Sequence, residues 1–170
     1  MSDLLAQWNG LPADEAAQQI LPCCGSKAWA RGVAARRPVA DEATLLVASD
    51  EIWRGLRASD WIEAFSTHPR IGESEAPKTA SAQSAAWSAQ EQRDAASPQD
   101  AVALALAEGN REYEERFGRL FIICATGKSA SQILDHLRRR LENDGDTELR
   151  EAAEEQRKIT NLRLKKWLSR

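Results

Sequence analysis

The residues of this chain whose types and spacing could do chemistry are an imidazole beside a proline, a polar triad on one helical stripe, and an arginine stranded on an apolar helix face. His68 lies in Thr67-His68-Pro69-Arg70-Ile71-Gly72. A residue before proline is pushed out of the α region, so His68 is expected where the chain leaves a short helix over residues 61–65. The turn is stiffened by Pro69 and loosened by Gly72. Its imidazole is either presented to a cleft for proton transfer or caps the carbonyls of the helix end. The second histidine, His136, points away from the Leu134, Leu137 and Leu141 stripe and is expected to be solvated.

Ser88, Glu91 and Gln92 sit at i, i+3 and i+4, so a hydroxyl, a carboxylate and a carboxamide share one helical stripe. Ala85 and Ala95 at its ends are small enough to leave room for a ligand. The three groups offer donors and acceptors suited to a flat heterocycle with urea-type edges; the plain alternative is an exposed polar face. Residues 146–168 read as one helix, and at 100° per residue Leu149, Ala152, Ala153, Ile159, Leu164 and Trp167 form a stripe that contains Arg163. Arg150, Lys158, Lys165, Lys166 and the acids Glu151, Glu154 and Glu155 are expected on other sides. A desolvated guanidinium needs a partner, so Arg163 snorkels, pairs with a carboxylate on another helix, or meets a ligand.

Residues 117–127, Phe-Gly-Arg-Leu-Phe-Ile-Ile-Cys-Ala-Thr-Gly, are a β-branched and aromatic run in a chain otherwise punctuated for helices. If extended, the run has no sheet to satisfy its backbone. Some of its N–H and C=O groups are then left for a ligand or a neighbouring helix terminus, unless it is simply a buried connector.

The elements that must position these groups are helical. Pro12 opens an Ala-rich helix to near Leu21, Ser26 caps one to about Arg36, and Asp41 caps one to about Arg57. Residues 82–96 are helical by propensity, and Ser97-Pro98-Gln99-Asp100 has the form of a capping box launching a helix to about Arg116. Ser129 caps a helix carrying Ile133, Leu134, Leu137 and Leu141, and Gly145-Asp146 precedes the last. The expected fold is all-α, a single compact multi-helix domain over residues 1–170, with a mobile loop over residues 72–81.

Composition excludes several classes. The net charge is −3 and basic residues alternate with acidic ones, so nucleic acid is not an expected partner. The longest apolar run, residues 120–125, is too short to span a bilayer, and Met1-Ser2-Asp3 lacks the cationic start of a signal peptide. An intracellular chain with no membrane partner is expected. Cys23, Cys24 and Cys124 form no Cys-x-x-Cys pair and are expected as reduced thiols, Cys124 as a small core residue. Neither of the two histidines has a metal-ligand neighbour at a recognised spacing, so no metal is expected.

Taken in order, His68-Pro69-Arg70-Ile71-Gly72, Ser88-x-x-Glu91-Gln92, Phe117-Gly118 leading into Phe121-Ile122-Ile123-Cys124, and Lys158-Ile159-Thr160-x-Leu162-Arg163-Leu164 resemble the 2-oxo-4-hydroxy-4-carboxy-5-ureidoimidazoline (OHCU) decarboxylases. The resemblance covers nearly the whole chain. It implies a compact all-helical fold, a homodimer, no cofactor, and conversion of that small ureidoimidazoline to (S)-allantoin, the last step of urate degradation. It implies a catalytic group of His68, Glu91 and Arg163, with substrate contacts at Pro69, Ser88 and Gln92 and along Phe121, Ile122, Ile123, Cys124 and Ala125. Some members of the family carry arginine where Thr126 stands, so no side-chain contact is carried over there. Leu168-Ser169-Arg170 is not the peroxisomal tripeptide found on many eukaryotic relatives, and a cytoplasmic enzyme is the expectation. Two rival readings are a non-enzymatic helical module with His68, Glu91 and Arg163 as a buried polar network, and a hydrolase of another ureide with Glu91 as general base.

Overall fold

The computed structural model describes residues 3–72, 81–94 and 100–170, without the side chains of residues 89, 92–94 and 100. Among the described residues the chain forms α1 (Asp3–Asn9), α2 (Ala13–Cys24), α3 (Lys27–Ala34), α4 (Glu42–Arg54), α5 (Ala58–Phe65), α6 (Ala82–Asp94), α7 (Asp100–Phe117), α8 (Ala130–Arg140) and α9 (Gly145–Leu168), and no strand. The fold is all-α. No helix among these residues is long and apolar enough to cross a membrane.

The start signals act as expected where they are described. Ser26 accepts from Trp29 N at 3.2 Å and Asp41 from Thr44 N at 2.8 Å. Ser129 and Gln132 close a capping box, each side chain bonded to the other's backbone N–H at 3.1 and 2.8 Å. The ends differ more. α2 runs through Pro22 to Cys24 instead of stopping near Leu21, because a proline in the last turn removes only one backbone bond. Gly25, at φ 92°, then closes it. α3 and α4 stop at Ala34 and Arg54, short of the expected ends, and α5 begins at Ala58, before the expected Trp61. α1 was not signalled by any cap. The expected capping box at residues 97–99 and most of the expected loop, residues 73–80, lie outside the described residues.

Contacts divide the chain into two compact units, residues 1–64 with 157–170, and residues 65–156. The first is built around tryptophans. Trp8, Trp29 and Trp53 are buried with Leu5, Ile20, Val33 and Leu45 from α1 to α4 and with Leu164 and Trp167 from the end of α9. Two of the indole N–H groups find partners inside the unit: Trp8 donates to Ala16 O at 2.9 Å and Trp29 to Ser49 Oγ at 3.1 Å. Trp8 and Trp167 meet edge to face at 5.8 Å. The turn after α1 is gathered by Arg37, which donates to Trp8 O and Leu11 O at 2.7 Å each and lies 5.4 Å from the Trp8 ring centroid.

The second unit has its core where α7 and α8 pack and the 121–125 segment runs against them. Leu106, Tyr113, Phe121, Ile123, Ala125, Ile133, Leu134 and Leu137 form one buried cluster, with Phe117 and Leu141 at its edge. Gly109 makes the approach possible, since a Cβ there would stand 2.6 Å from Leu137 Cδ2. Gly118, at φ 70°, turns the chain out of α7 with its N–H on Glu114 O at 2.8 Å.

Beneath the segment lies a buried ionic cluster that the sequence reading did not anticipate. Arg140 is 1% exposed and Glu148 is fully buried. Glu148 Oε1 accepts from Arg140 Nε at 2.9 Å, from Arg140 Nη2 and from the Tyr113 hydroxyl, while Oε2 accepts from Asn143 Nδ2 at 3.0 Å. Arg140 also donates to Ile122 O at 2.6 Å and covers the Phe121 ring at 4.5 Å. Burial, followed by its bond to Glu148, pushes the Tyr113 phenol above its ordinary range. Removing one member of a buried pair strands the other charge. Arg140→Ala or Glu148→Gln is therefore expected to cost about 3–5 kcal/mol, read as a lower urea midpoint at unchanged m-value. A loss below about 1 kcal/mol would show that the pair does not hold the segment.

Candidate active site

Of the residues expected to form a site, His68, Pro69, Ser88, Glu91 and the 121–125 segment fall in the second unit, and Arg163 falls in the first. His68 follows α5 by three residues, and its N–H closes a turn on Phe65 O at 3.2 Å. The side chain is only 6% exposed, and Pro69 beside it is buried. The ring does not cap the helix end through Nε2: that atom lies 2.6 Å from Gln156 Oε1, and Gln156 is fully buried. An amide oxygen only accepts, so in this arrangement Nε2 carries a proton.

The stripe on α6 is buried, against the alternative of a solvated face. Ser84, Trp87, Ser88 and Glu91, at i, i+3, i+4 and i+7, are 3%, 8%, 3% and 7% exposed. A carboxylate and two hydroxyls thus face inward on one helix, where desolvation makes each polar contact count for more than it would in water. The Gln92 side chain, expected on the same stripe, lies outside the described residues.

Phe121, Ile122, Ile123, Cys124 and Ala125 carry no regular secondary structure and are each 6% exposed or less. Their backbone groups meet side chains. Cys124 N–H donates to Glu155 Oε1 at 3.4 Å, Lys128 Nζ donates to Cys124 O at 2.7 Å, and Arg140 holds Ile122 O. Burial pushes the Cys124 thiol up, the Lys128 ammonium opposes that, and the Glu155 and Glu91 carboxylates add to it. Glu155 and Gln156 are consecutive on α9, so the Cys124 N–H and the His68 ring are held by neighbouring residues of one helix.

Arg163 is fully buried, as its place on the α9 stripe required. It donates from Nη1 to Pro22 O at 3.3 Å, one of the last carbonyls of α2. A helix C-terminus carries partial negative charge, so a cation is favoured there. The neighbouring thiols are suppressed: burial pushes Cys23 and Cys24 up to about 12, with the Arg163 charge pulling the other way at both.

Three polar residues of this region were not singled out from sequence. Lys128 stands in the loop before the Ser129 cap. Glu155 was expected on an outer side of α9 but is 7% exposed; its carboxylate turns to the segment and accepts from the Cys124 N–H. Gln156 lies inside the same stripe as Arg163 and carried the same signal without a charge to draw notice.

A family model described as OHCU decarboxylase matches residues 9–165. The chain belongs to the OHCU decarboxylase family. It is similar to the uric acid degradation bifunctional protein TTL of Arabidopsis thaliana, 40% identical over 148 residues that make up 86% of this chain and 45% of that protein. It is also similar to a 2-oxo-4-hydroxy-4-carboxy-5-ureidoimidazoline decarboxylase of Amia calva, 46% identical over 55 residues, 32% of this chain and 31% of the other. The matched stretch thus covers less than half the length of either relative. An OHCU decarboxylase crystallised in the presence of (S)-allantoin superposes with a TM-score of 0.72 at 32% identity, covering 88% of this chain and 96% of that one. An (S)-allantoin synthase structure shares the fold at a TM-score of 0.71 and 17% identity, covering 96% of this chain and 53% of that one.

Thiolate, not thiol, is the nucleophile, and raised pKa values keep these cysteines protonated well above neutral pH. At pH 8 the folded protein is expected to leave an aromatic disulfide reagent unreacted over minutes, and to titrate all three cysteines once unfolded in guanidinium. Rapid reaction of one thiol in the folded state contradicts this.

Proposed function

We propose that this member of the OHCU decarboxylase family converts 2-oxo-4-hydroxy-4-carboxy-5-ureidoimidazoline to (S)-allantoin and CO2 without a cofactor. The observation that carries the reading is a buried histidine, oriented by a carboxamide, in the unit that also holds the inward Glu91 stripe and the irregular 121–125 segment. The structural relative obtained with (S)-allantoin supports the substrate class.

The substrate supplies its own electron sink. Its carboxylate sits on a carbon that bears a hydroxyl and adjoins a C=N carbon. When the C–C bond to the carboxylate breaks, CO2 leaves, the electron pair moves into the C=N unit and its nitrogen takes a proton, giving an enol-like diamine. The hydroxyl proton is then released as the carbonyl forms, and the former C=N carbon takes a proton on one face. The protein's share is to hold the scissile bond perpendicular to the ring, move those protons, and select the face.

In this reading His68 contacts the hydroxyl and shuttles its proton, while Glu91 with Ser88 and Gln92 clamps the ureido edges. Pro69 and the backbone of residues 121–125 hold the ring. Arg163 is assigned away from the departing carboxylate, because gripping that group would stabilise the ground state and oppose CO2 loss. The active form is proposed to be a cytoplasmic homodimer, with light scattering of the purified chain as the check.

Generating the unstable substrate in situ from urate tests the reaction. The chain should speed the appearance of optically active allantoin, followed by circular dichroism, over the racemic spontaneous product. His68→Ala should lower that acceleration by roughly 10²- to 10⁴-fold. Released ammonia or a carbamoyl product in place of CO2 would turn the reading to a ureide hydrolase. Arg163→Lys should lower kcat with KM nearly unchanged, and a change in KM alone overturns its proposed role.

A further inference from the structure

We infer that Gln156 is a positioning residue that keeps the His68 proton on Nε2 and so makes Nδ1 the nitrogen that exchanges a proton with the substrate. This rests on the reading of His68 as the catalytic imidazole. A neutral imidazole has one N–H and one lone pair, and which nitrogen holds which is set by the partner of the other. The partner here is an acceptor at 2.6 Å, with both side chains buried. Inside a protein such a contact is not exchanged for water, so the tautomer it selects persists.

The chemistry of the partner fits the task. A carboxylate at the same distance would hold His68 as imidazolium and resist any step in which the ring gives up its proton. A carboxamide fixes the ring and the tautomer while adding no charge. The residue preceding Gln156 on α9 is Glu155, which holds Cys124 N–H. Consecutive residues of one helix therefore set the imidazole and the irregular segment, so the two cannot drift independently. Gln156 touches the histidine and has no assigned contact with the substrate; its effect on the reaction passes through His68.

The chain has only two histidines, which makes a direct test practical. In this 170-residue chain labelled with ¹⁵N-histidine, His136→Gln leaves the His68 ring nitrogens alone in the spectrum. Above the His68 titration, Nε2 should appear as the protonated, pyrrole-type nitrogen and Nδ1 as the pyridine-type one. Gln156→Leu should collapse this to a mixture of tautomers and lower kcat by roughly tenfold or more with KM within about twofold, while Gln156→Glu should keep the proton on Nε2. A pyridine-type Nε2 in the unaltered ring environment, or ring signals unmoved by Gln156→Leu, overturns the inference. Because the spectrum is taken on resting protein without substrate, it stands apart from any failure of the decarboxylation assay. Should Gln156→Leu not fold, the spectrum of the unaltered ring still decides the tautomer.

Discussion

Burying a non-helical stretch of backbone in an all-helical unit is the constraint on which the rest of residues 65–156 depends. Residues 121–125 are almost entirely removed from water, yet among the described residues no sheet takes up their N–H and C=O groups. An unpaired buried amide costs about 1–3 kcal/mol, so several such groups would exceed what a domain of this size can spare. Charged side chains from outside the segment close the gap: Arg140 on Ile122 O, Glu155 on Cys124 N and Lys128 on Cys124 O. The long reach of these side chains lets α8, α9 and the loop before α8 hold an irregular strip of backbone.

Those charges are themselves expensive to bury, and that expense explains the network around them. Arg140 is tolerated because Glu148 meets it through two N–H groups, and Glu148 because Tyr113 and Asn143 occupy its remaining lone pairs. Such a cluster adds little net stability over an apolar equivalent, but it accepts only one geometry. The gain is therefore positional: the segment cannot shift along its axis without stranding a charge. Arg163 is met differently. Its guanidinium lies at the carbonyl end of α2, where the partial negative charge of the helix terminus favours a cation.

Local signals with a sharp physical basis were legible in the sequence. Ser26, Asp41 and Ser129 cap the helices they were expected to cap, because a short oxygen-bearing side chain satisfies the first N–H groups regardless of tertiary context. Stripe periodicity identified Arg163 as buried. The same test applied evenly would have found Arg140, at i+3 and i+7 from Leu137 and Ile133, and Gln156, at i+3 and i+4 from Ala153 and Ala152. Arg140 stands with Arg138 and Arg139 in the basic last turn of α8 and Gln156 is a neutral amide on an apolar stripe, so neither was singled out. Partners were beyond reach in both cases, since which carbonyl or ring lies opposite depends on residues up to 88 positions away. The position of Glu155 was misjudged for the same reason: helical phase alone placed it outside, and only the demand of the Cys124 N–H turns its carboxylate inward. α1 is seven residues long and its first turn starts at Asp3, too short to build a periodic signal.

The proposed chemistry asks for fidelity of placement more than for strongly perturbed groups. A substrate with its own electron sink decarboxylates once the scissile bond is aligned, and stereochemical preference then follows from the face on which the proton arrives. A hundredfold preference for one face corresponds to only about 2.7 kcal/mol between two transition states. Differences of that size are within reach of a tautomer held in place, a ring clamped along its edges and water kept out, with no need for a carboxyl driven far from its usual range. Catalytic geometry of this kind tolerates errors of well under an ångström. An imidazole fixed by a buried carboxamide and a backbone segment pinned by charged side chains are parts that hold their positions before the substrate arrives.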